Sequence, residues 1–487
     1  MKPKFKLLEK KLIDQIISEG LEILMNPGVK VHNDETLKLL ADHGAEIDLD
    51  EKIAHIPEEL VLKAIDTAPS EFSLYTLDGE PAVRYMDDEV HFNPCSTALT
   101  IVDSETQKQR PPVSEDMVKF VKLVETLPQL DAQSTSLVCS DVPKEVADIY
   151  RLYIALNLMR KPIVTGAFRS DTLLIMKDLL VAAVGDESTL SEKPIAIFDV
   201  CPSPPLLWSD LGCQNLLDCA RADLPVQFIS MPLTGATAPI TLTGALVQHA
   251  AETMSGVTIA QLAKKGAPVV WGGSPSALDM RTGNTPMGAV ETWMIDIAYV
   301  EVGKELNLPT NAYMGLSDAK VVDTQCGLEA AGGILLASLA GVNMVSSPGM
   351  LDFESSQSFE KVVIDSEIIA MGKRLVQGIE ARENPIATTI MAEMGHRSDY
   401  LTLPHTHKWF KEELHIPSKL VDRSSVEEWE REGSKSMFER ARDRVNQLVD
   451  SYEPSPISSD VRTELNEITS KAAKKFGMDK LPDISFD

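Results

Sequence analysis

The sequence predicts an α/β protein whose centre is an eight-stranded (β/α)8 TIM barrel. After about residue 89, short runs rich in β-forming residues alternate with long helical stretches, at the spacing of roughly 30 to 43 residues that repeated strand and helix units require. Eight units match a closed barrel better than an open sheet. The predicted strands are residues 98–102, 130–136, 162–166, 194–200, 225–231, 268–273, 309–315 and 341–347.

The segments on either side of the barrel are predicted to be helical. Apolar residues recur at helical spacing from Leu12 to Leu24, and a second helical run ends at Gly44. Charged, amphipathic helices follow the barrel, and the last of them is expected to be a packing or oligomer arm. The chain therefore divides into an N-terminal helical cap (1–88), a barrel catalytic domain (89–400) and a C-terminal helical extension (401–487).

The composition excludes several classes of protein. Among 487 residues, 46 lysines and arginines stand against 73 aspartates and glutamates, which gives a net charge of −27 that repels nucleic acid and suits a cationic ligand. The sequence contains no run of about 18 apolar residues, so no membrane-spanning helix is predicted. The six cysteines are scattered and indicate reduced thiols. We expect a cytoplasmic protein, and from the last helix a homo-oligomer.

Missing motifs narrow the chemistry further. The sequence has no GxGxxG after a strand and no phosphate-binding GxxxxGK[ST], so it predicts neither a dinucleotide-binding site nor a P-loop. It has no HExxH and no CxxC, so it predicts no metal site. The DxHxxG segment that supplies a histidine to cobalt in cobalamin-binding domains is also absent. No tightly bound cofactor is therefore expected.

Aromatic residues follow three successive predicted strands. Only 5% of the chain is aromatic, yet Trp271, Tyr313 and Phe353 fall at or just after these strands. The carboxyl ends of barrel strands carry the active site, and aromatic faces attract quaternary ammonium ions, which cannot donate a hydrogen bond. The pattern indicates a site for an organic cation, and the alternative is that these rings only fill the top layer of the barrel.

Polar candidates lie near the same strand ends. Arg281 has the planar fork that clamps a carboxylate, although an ordinary ion pair with Asp279 or Glu291 explains it equally well. His249, on an apolar helix, is expected to be a core histidine. The remaining candidates are Asp279, Asp318, Asp323, Gln325 and Glu329.

Several segments together resemble the trimethylamine methyltransferase (MttB-like) family, from the N-terminal helices to beyond residue 440. Each segment is weakly specific, but their order along the chain is specific. They are Gly28-Val-Lys-Val-His-Asn33 with Gly44-Ala45, Phe92-Asn-Pro-Cys-Ser96 with Asp103 and Arg110, Pro232-Leu-Thr-Gly-Ala-Thr-Ala-Pro-Ile-Thr-Leu-Thr-Gly244 with Ala251-Glu252, Asp279-Met-Arg-Thr-Gly283 with Glu291, Ser317-Asp-Ala-Lys320 with Asp323, Gln325 and Glu329, Asp365-Ser-Glu367, His405-Thr406, and Trp429.

The resemblance implies a barrel enzyme that takes a methyl group from a methylated amine and passes it to cob(I)alamin, a corrinoid carried by a separate partner protein. The trimethylamine enzymes of the family contain pyrrolysine, whose position we expect in or near 323–329. This chain has only standard residues. It therefore resembles the pyrrolysine-free branch, which acts on glycine betaine, proline betaine, carnitine and similar quaternary amines.

This hypothesis gives each candidate a role. Trp271, Tyr313 and Phe353 would bind the substrate cation, and Arg281 would bind a substrate carboxylate. Asp279, Gln325 and Glu329, the candidate catalytic residues, would orient the substrate. Two alternatives remain: a barrel lyase or aldolase, for which Lys320 is the nearest lysine but lies in a loop, and a non-catalytic paralogue that binds betaines.

Overall fold

The computed structural model describes residues 3–94, 97–397 and 399–486. Cys95 and Ser96, which belong to one of the resembling segments, lie outside the described residues. No helix in these ranges is long and apolar enough to cross a membrane.

The helices of the described residues alternate with strands through most of the chain. In chain order they are α1 (Lys10–Met25), α2 (Asp34–Asp42), α3 (Glu58–Thr67), α4 (Ser114–Thr126), a 3-10 helix (Lys144–Val146), α5 (Ala147–Leu158), α6 (Leu173–Val184), α7 (Glu187–Glu192), α8 (Asp210–Arg221), α9 (Leu242–Ala263), α10 (Val290–Glu305), α11 (Thr324–Ala340), α12 (Phe359–Gln377), α13 (Thr388–Met394), α14 (Pro404–Glu413), α15 (Val426–Arg431), α16 (Met437–Asp450) and α17 (Ser459–Lys475).

The strands are short. They are β1 (Val29–Val31), β2 (Glu46–Asp48), β3 (Ile53–His55), β4 (Phe72–Tyr75), β5 (Pro81–Tyr85), β6 (His91–Asn93), β7 (Thr100–Val102), β8 (Gln109–Arg110), β9 (Gln133–Ser134), β10 (Ile163–Thr165), β11 (Ala196–Val200), β12 (Leu207–Trp208), β13 (Val226–Phe228), β14 (Leu233–Thr234), β15 (Val269–Val270), β16 (Ser276–Ala277), β17 (Asn311–Tyr313), β18 (Met344–Ser346), β19 (Met350–Leu351) and β20 (Ser356–Gln357).

Eight parallel strands form the predicted barrel. β9, β10, β11, β13 and β15 pair in that order, and β17 pairs with β18, which pairs with β6. The N–H of Trp271 donates to the carbonyl of Pro309 at 2.8 Å, which links β15 to β17. The N–H of Asp131 donates to the carbonyl of Phe92 at 2.8 Å, which links β9 to β6. The barrel fold predicted from the sequence is confirmed.

The first predicted barrel strand is wrong. Residues 98–102 were expected in the barrel, but β6 (His91–Asn93) takes that place, and β7 (Thr100–Val102) pairs with β8 and β20 outside the barrel. β7 has the β-branched composition of a buried strand. β6 lacks this composition. Its Asn93 is polar, faces the barrel interior and accepts a hydrogen bond from the hydroxyl of Ser346 at 2.7 Å.

The N-terminal segment packs on the barrel and closes its amino-terminal end. α1 lies against α9, and β1 pairs with β12. The hairpin of β4 and β5 places Leu74, Val83 and Tyr85 against apolar side chains of the barrel interior, all buried. Those interior residues are Ala132, Val164, Ile197, Val270 and Met344. The cap therefore contains strands as well as helices, and the hairpin plugs one end of the barrel.

The C-terminal part begins as α12 leaves the barrel. α16 packs on α12 and α4, and α17 packs on α6 and α5. Between α12 and α16, the described residues of 379–436 bury only Met394 and Leu420. We call this segment the arm. The domain boundaries at residues 88 and 400 remain predictions.

Candidate active site

A carboxylate lies inside the barrel, near the carboxyl ends of its strands. Asp199 is the only residue of β11 that is not buried. Its Oδ1 accepts a hydrogen bond from Gln227 Nε2 at 2.5 Å, and its Oδ2 accepts one from the hydroxyl of Tyr313 at 3.3 Å. These residues come from β11, β13 and β17. Their contacts hold the Asp199 carboxyl group at the floor of the barrel mouth.

A second carboxylate, Glu354, reaches the mouth from the loop after β18. Its Oε1 accepts a hydrogen bond from the hydroxyl of Ser347 at 2.9 Å, and its Oε2 accepts one from the hydroxyl of Ser274 at 3.4 Å. Asp352, Phe353 and Glu354 have φ angles of 53°, 55° and 69°, which L-residues rarely adopt. Three consecutive left-handed residues are costly and cluster at functional sites.

A cavity of about 720 Å³ opens beside this mouth, between the loops that follow β13, β15 and β17. Five of the seven candidate residues line it. They are Asp279, Arg281, Gln325, Glu329 and Phe353, and the other polar lining residues include Glu291, Asp318 and Lys320. Carboxylates outnumber cations in this lining, so the cavity is suited to a positively charged ligand.

Asp318 and Glu329 form a fixed acidic pair in the cavity wall. The Asp318 oxygens accept hydrogen bonds from the N–H groups of Met287 and Gly288, each at 2.9 Å. Glu329 accepts from the hydroxyl of Ser317 at 2.6 Å and from the N–H of Asp318 at 2.8 Å. Burial, with a smaller contribution from the nearby Glu329 charge, raises the pKa of Asp318 to about 6.

Gln325 and Gly288 both lie against the Glu329 carboxylate. Gln325 Nε2 donates to Glu329 Oε1 at 2.9 Å, one helical turn apart on α11. A Cβ at position 288 would lie 2.7 Å from the Glu329 carboxyl carbon, so glycine is needed for the close approach. Gln325 and Glu329 thus hold each other in place at the cavity wall.

Arg281 and Asp279 form an ion pair at the outer edge of the cavity. Arg281 Nε and Nη2 donate to the two Asp279 oxygens at 3.1 and 2.9 Å. This contact with Arg281 lowers the pKa of Asp279. The Arg281 side chain is 88% exposed. The Arg281–Asp279 ion pair, which the sequence analysis gave as an alternative, is therefore present, and it lies at the solvent-exposed edge of the cavity.

Phe353 already holds a cation against its ring. Lys320 Nζ lies 3.7 Å from the ring centroid, 3.3 Å from Asp352 Oδ1 and 2.7 Å from the carbonyl of Asp318. A ring with a carboxylate beside it is the arrangement expected for an ammonium ion. In this conformation the lysine occupies that position.

Trp271 does not reach the cavity. Successive residues of a strand face opposite sides, and Val270 faces the interior, so Trp271 faces the outer helices. Its side chain is fully buried, its indole N–H donates to the carbonyl of Tyr299 on α10 at 2.9 Å, and it meets His249 edge to face. We therefore remove Trp271 from the candidate cation site.

His249 is a core residue, as expected. It stacks on Tyr299, and burial lowers its pKa to about 3, so that it is neutral. Within the described ranges, no group of three or more His, Cys, Asp or Glu side chains is arranged to hold a metal ion.

Sequence reasoning did not select three residues of the mouth: Asp199, Gln227 and Glu354. A charge in the otherwise apolar run before Val200 could have revealed Asp199, because a buried strand rarely carries a charged side chain without a function. Nothing in the local pattern indicated that Glu354 would turn toward the mouth.

The model of the family described as trimethylamine methyltransferase (MTTB) matches residues 1–477. The chain belongs to this family. The family membership predicted from the sequence is confirmed, and with it the class of enzyme, a methyltransferase.

Relatives within the trimethylamine methyltransferase family are similar over nearly their full length. A trimethylamine methyltransferase MttB of Methanosarcina barkeri is 30% identical over 94% of this chain and 93% of the relative. One from Desulfitobacterium hafniense is 28% identical over 95% and 93%. A glycine betaine methyltransferase, also from D. hafniense, is 25% identical over 98% of each chain.

A solved structure supports the fold. The crystal structure of the monomethylamine methyltransferase MtmB from M. barkeri matches with a TM-score of 0.55 at 12% identity, covering 93% of this chain and 89% of that chain. At this identity the match concerns architecture alone. It agrees with the closed barrel seen in this member of the trimethylamine methyltransferase family.

Proposed function

We propose that this chain transfers a methyl group from a small quaternary amine to the Co(I) corrinoid of a separate partner protein. The observation that carries the proposal is Asp199, an accessible carboxylate inside a plugged barrel. Together with Glu354 it gives the mouth a negative charge, and an organic cation supplies the matching positive charge. Membership of a methyltransferase family supports the choice of reaction.

The chemistry needs little from the protein beyond binding. The Co(I) electron pair forms a bond to the methyl carbon, and the carbon–nitrogen bond breaks with its electron pair moving to nitrogen. Cobalt is formally oxidised to Co(III), and the amine leaves neutral, so no proton has to be supplied. The protein contributes position and the exclusion of water from the reacting carbon.

The residues of the mouth divide this work. Asp199 and Glu354 would neutralise the ammonium ion, with the Tyr313 ring beside them. Phe353 would offer its face once Lys320 moves away. Asp199 is held by Gln227 and Tyr313, so its charge stays fixed while the substrate changes from a cation to a neutral amine.

The cavity beside the mouth would orient the rest of the substrate. Asp279, Gln325 and Glu329 line it and present polar groups. Arg281 would meet a substrate carboxylate, such as that of glycine betaine, at the outer edge. The relatives are named for trimethylamine and glycine betaine, and both names indicate a nitrogen that carries methyl groups.

The setting of the reaction follows from the same proposal. Co(I) survives only under reducing conditions, and the described cysteines are free thiols, which suits the cytoplasm. The corrinoid partner would approach the open carboxyl end of the barrel. We also expect a homo-oligomer.

The test mixes the purified protein with cob(I)alamin, without oxygen, and with trimethylamine, tetramethylammonium, choline, glycine betaine or carnitine in turn. We expect the Co(I) absorbance to fall and the demethylated amine to appear with at least one quaternary amine. The Asp199→Asn variant should be much slower, and Asp450→Asn, which removes an exposed carboxylate at the end of α16, should match the parent chain. Binding of an amine without turnover would contradict the proposal and favour the non-catalytic reading.

A further inference from the structure

The exposed apolar side chains of the barrel lie around its mouth. Among the described residues from 89 to 374, nine large apolar side chains are exposed. Each of them lies in a loop that follows a barrel strand, or in the first two turns of the helix after that loop. This apolar surface is therefore at the carboxyl ends of the strands, where the candidate site also lies.

Six of the nine follow three neighbouring strands of the ring, β13, β15 and β17. The other five barrel strands are followed by only three, which are Leu99, Leu174 and Leu211. We call the group of six the crescent. Its members are Met231, Ile240, Met280, Val290, Met294 and Leu328, with exposed fractions from 39 to 73%.

The crescent borders the candidate cavity. A Cβ at Gly235 would lie 2.9 Å from Ile240 Cδ1 and 3.7 Å from Met280 Sδ, so these two side chains meet at the same glycine. Both also line the cavity. The two crescent residues of α10 are one helical turn apart and share a face, and α10 packs on α11, which carries the sixth member.

The packing of the fold does not use these side chains. Apolar residues of a helix normally face the core, whereas Val290 and Leu328 are 54 and 71% exposed. Trp293 forms the contact between the two helices instead, because a Cβ at Gly332 on α11 would lie 2.5 Å from its ring. A contiguous exposed apolar patch beside a site marks a surface for another molecule.

The proposed reaction needs such a surface at this place. Co(I) has to reach the methyl carbon while water is excluded, so the protein that carries the corrinoid has to close on the rim of the mouth. Covering an apolar rim is favourable and leaves no charge buried without a partner. Methionine supplies three of the six side chains, and its flexible thioether adapts to the surface of a partner.

The area of the crescent fits a contact that forms and separates in every turnover. The six side chains amount to a little over three fully exposed ones, or roughly 400 Å² at about 120 Å² each. A standard interface buries about 800 Å² on each partner, and a little over half of that area is apolar. The crescent can thus supply the apolar share of a standard interface, whereas a permanent contact is larger and would keep the cavity covered.

We propose that the crescent is the docking surface for the corrinoid partner, which sits off-centre over the loops that follow β13, β15 and β17. The identity of the partner rests on the proposed function. The loops that follow β9 and β10, on the opposite side of the ring, are not needed for docking.

The first test compares two methyl acceptors, free cob(I)alamin and cobalamin-loaded corrinoid proteins of the same organism. The Met294→Gln/Leu328→Gln double variant changes two members of the crescent that do not line the cavity, and it adds no charge. Its kcat/KM for the corrinoid protein should fall about tenfold or more, because two apolar contacts are lost. Its rate with free cob(I)alamin should match that of the parent chain.

Leu174→Gln is the matched control, since Leu174 is 51% exposed and lies across the mouth from the crescent. It should match the parent chain with both acceptors. A double variant that keeps its rate with the corrinoid protein, or that loses activity equally with both acceptors, would overturn the proposal. A lower mass of the double variant in light scattering would assign the crescent to a contact between copies and would also overturn it.

Amide hydrogen exchange of the parent chain provides a second measurement in case the double variant misfolds. Adding the cobalamin-loaded corrinoid protein should protect amides at 290–294 and 324–328, while amides at 172–175 should exchange as before. Protection confined to another surface, or no binding of any of the corrinoid proteins, would overturn the proposal. Protection at the crescent without methyl transfer would keep the docking surface and refute only the proposed reaction.

Discussion

The two ends of the barrel are lined by different kinds of side chain, apolar at the amino end and acidic at the carboxyl end. At the amino end, a hairpin presses Leu74, Val83 and Tyr85 into an apolar interior. At the carboxyl end, two carboxylates, Asp199 and Glu354, face the mouth. We therefore expect the first end to contribute stability and the second to contribute binding, because apolar contacts favour folding while charges kept near solvent attract a ligand. Changes at the two ends should therefore have separable effects.

The largest effect is expected from Asp199→Asn. Removing one charge at about 5 Å from an ammonium ion, at an effective dielectric constant of about 20, costs a little over 3 kcal/mol, or roughly 250-fold in kcat/KM for a quaternary amine. The measurement is the initial rate of Co(I) consumption, with Asp450→Asn as the control. Equal rates for both variants would remove Asp199 from the binding site.

A substitution in the β4–β5 hairpin should change the stability of the fold rather than substrate binding. Val83→Ala removes two buried methyl groups and should lower the free energy of unfolding by about 2 kcal/mol. Denaturant unfolding measures this loss, while KM for the amine, determined well below the melting temperature, should stay within about twofold of the parent value. A large change in KM would mean that the plugged end contributes to the site.

The cavity beside the mouth should favour the binding of a quaternary amine more strongly as the pH rises. Burial raises the pKa of Asp318 to about 6, so this side chain is neutral at pH 5 and negative at pH 7, while the charge of the ligand does not titrate. We expect affinity to increase about tenfold between these values, measured by calorimetry. The Asp318→Asn variant should bind with little pH dependence, and a pH-dependent variant would assign the effect to another group.

The same titration acts on stability in the opposite direction. Because the folded state keeps the Asp318 proton up to about pH 6 and the unfolded chain releases it near its ordinary pKa of 3.8, the contribution of this group to stability falls as the pH rises through that window. Binding and stability are therefore expected to diverge in this range.

The smallest effect is expected from Arg281→Gln. An exposed ion pair contributes at most about 1 kcal/mol, so affinity for glycine betaine should fall about threefold, and affinity for tetramethylammonium should not change. Calorimetry with both ligands tests the difference. A tenfold loss for both would show that Arg281 shapes the mouth instead of binding a carboxylate.

The barrel could be predicted because buried parallel strands form continuous apolar runs between helices, as at residues 195–198 and 269–271. The first strand escaped detection because polar residues of β6 face the interior. The cavity residues 279, 281, 325, 329 and 353 could be gathered because they follow strands whose carboxyl ends meet. Their functional roles remain predictions.

The direction of side chains could not be predicted with the same means. Trp271 and Gly272 are neighbours on one strand, and a shift of a single residue decides which of them faces the interior. The position of the β4–β5 hairpin could not be predicted either, because its mixture of apolar and polar residues does not indicate which surface it covers. Such features depend on the tertiary arrangement and not on the local pattern.

The hairpin at the amino end has a kinetic consequence. With that end sealed, the proposed reaction leaves a small molecule one way in and out, which is the opening that the corrinoid macrocycle would fill. The amine would then have to bind before the macrocycle arrives, and the demethylated product would stay trapped until the macrocycle departs. We therefore expect turnover in a compulsory order, with the demethylated amine competing with the substrate for the empty enzyme.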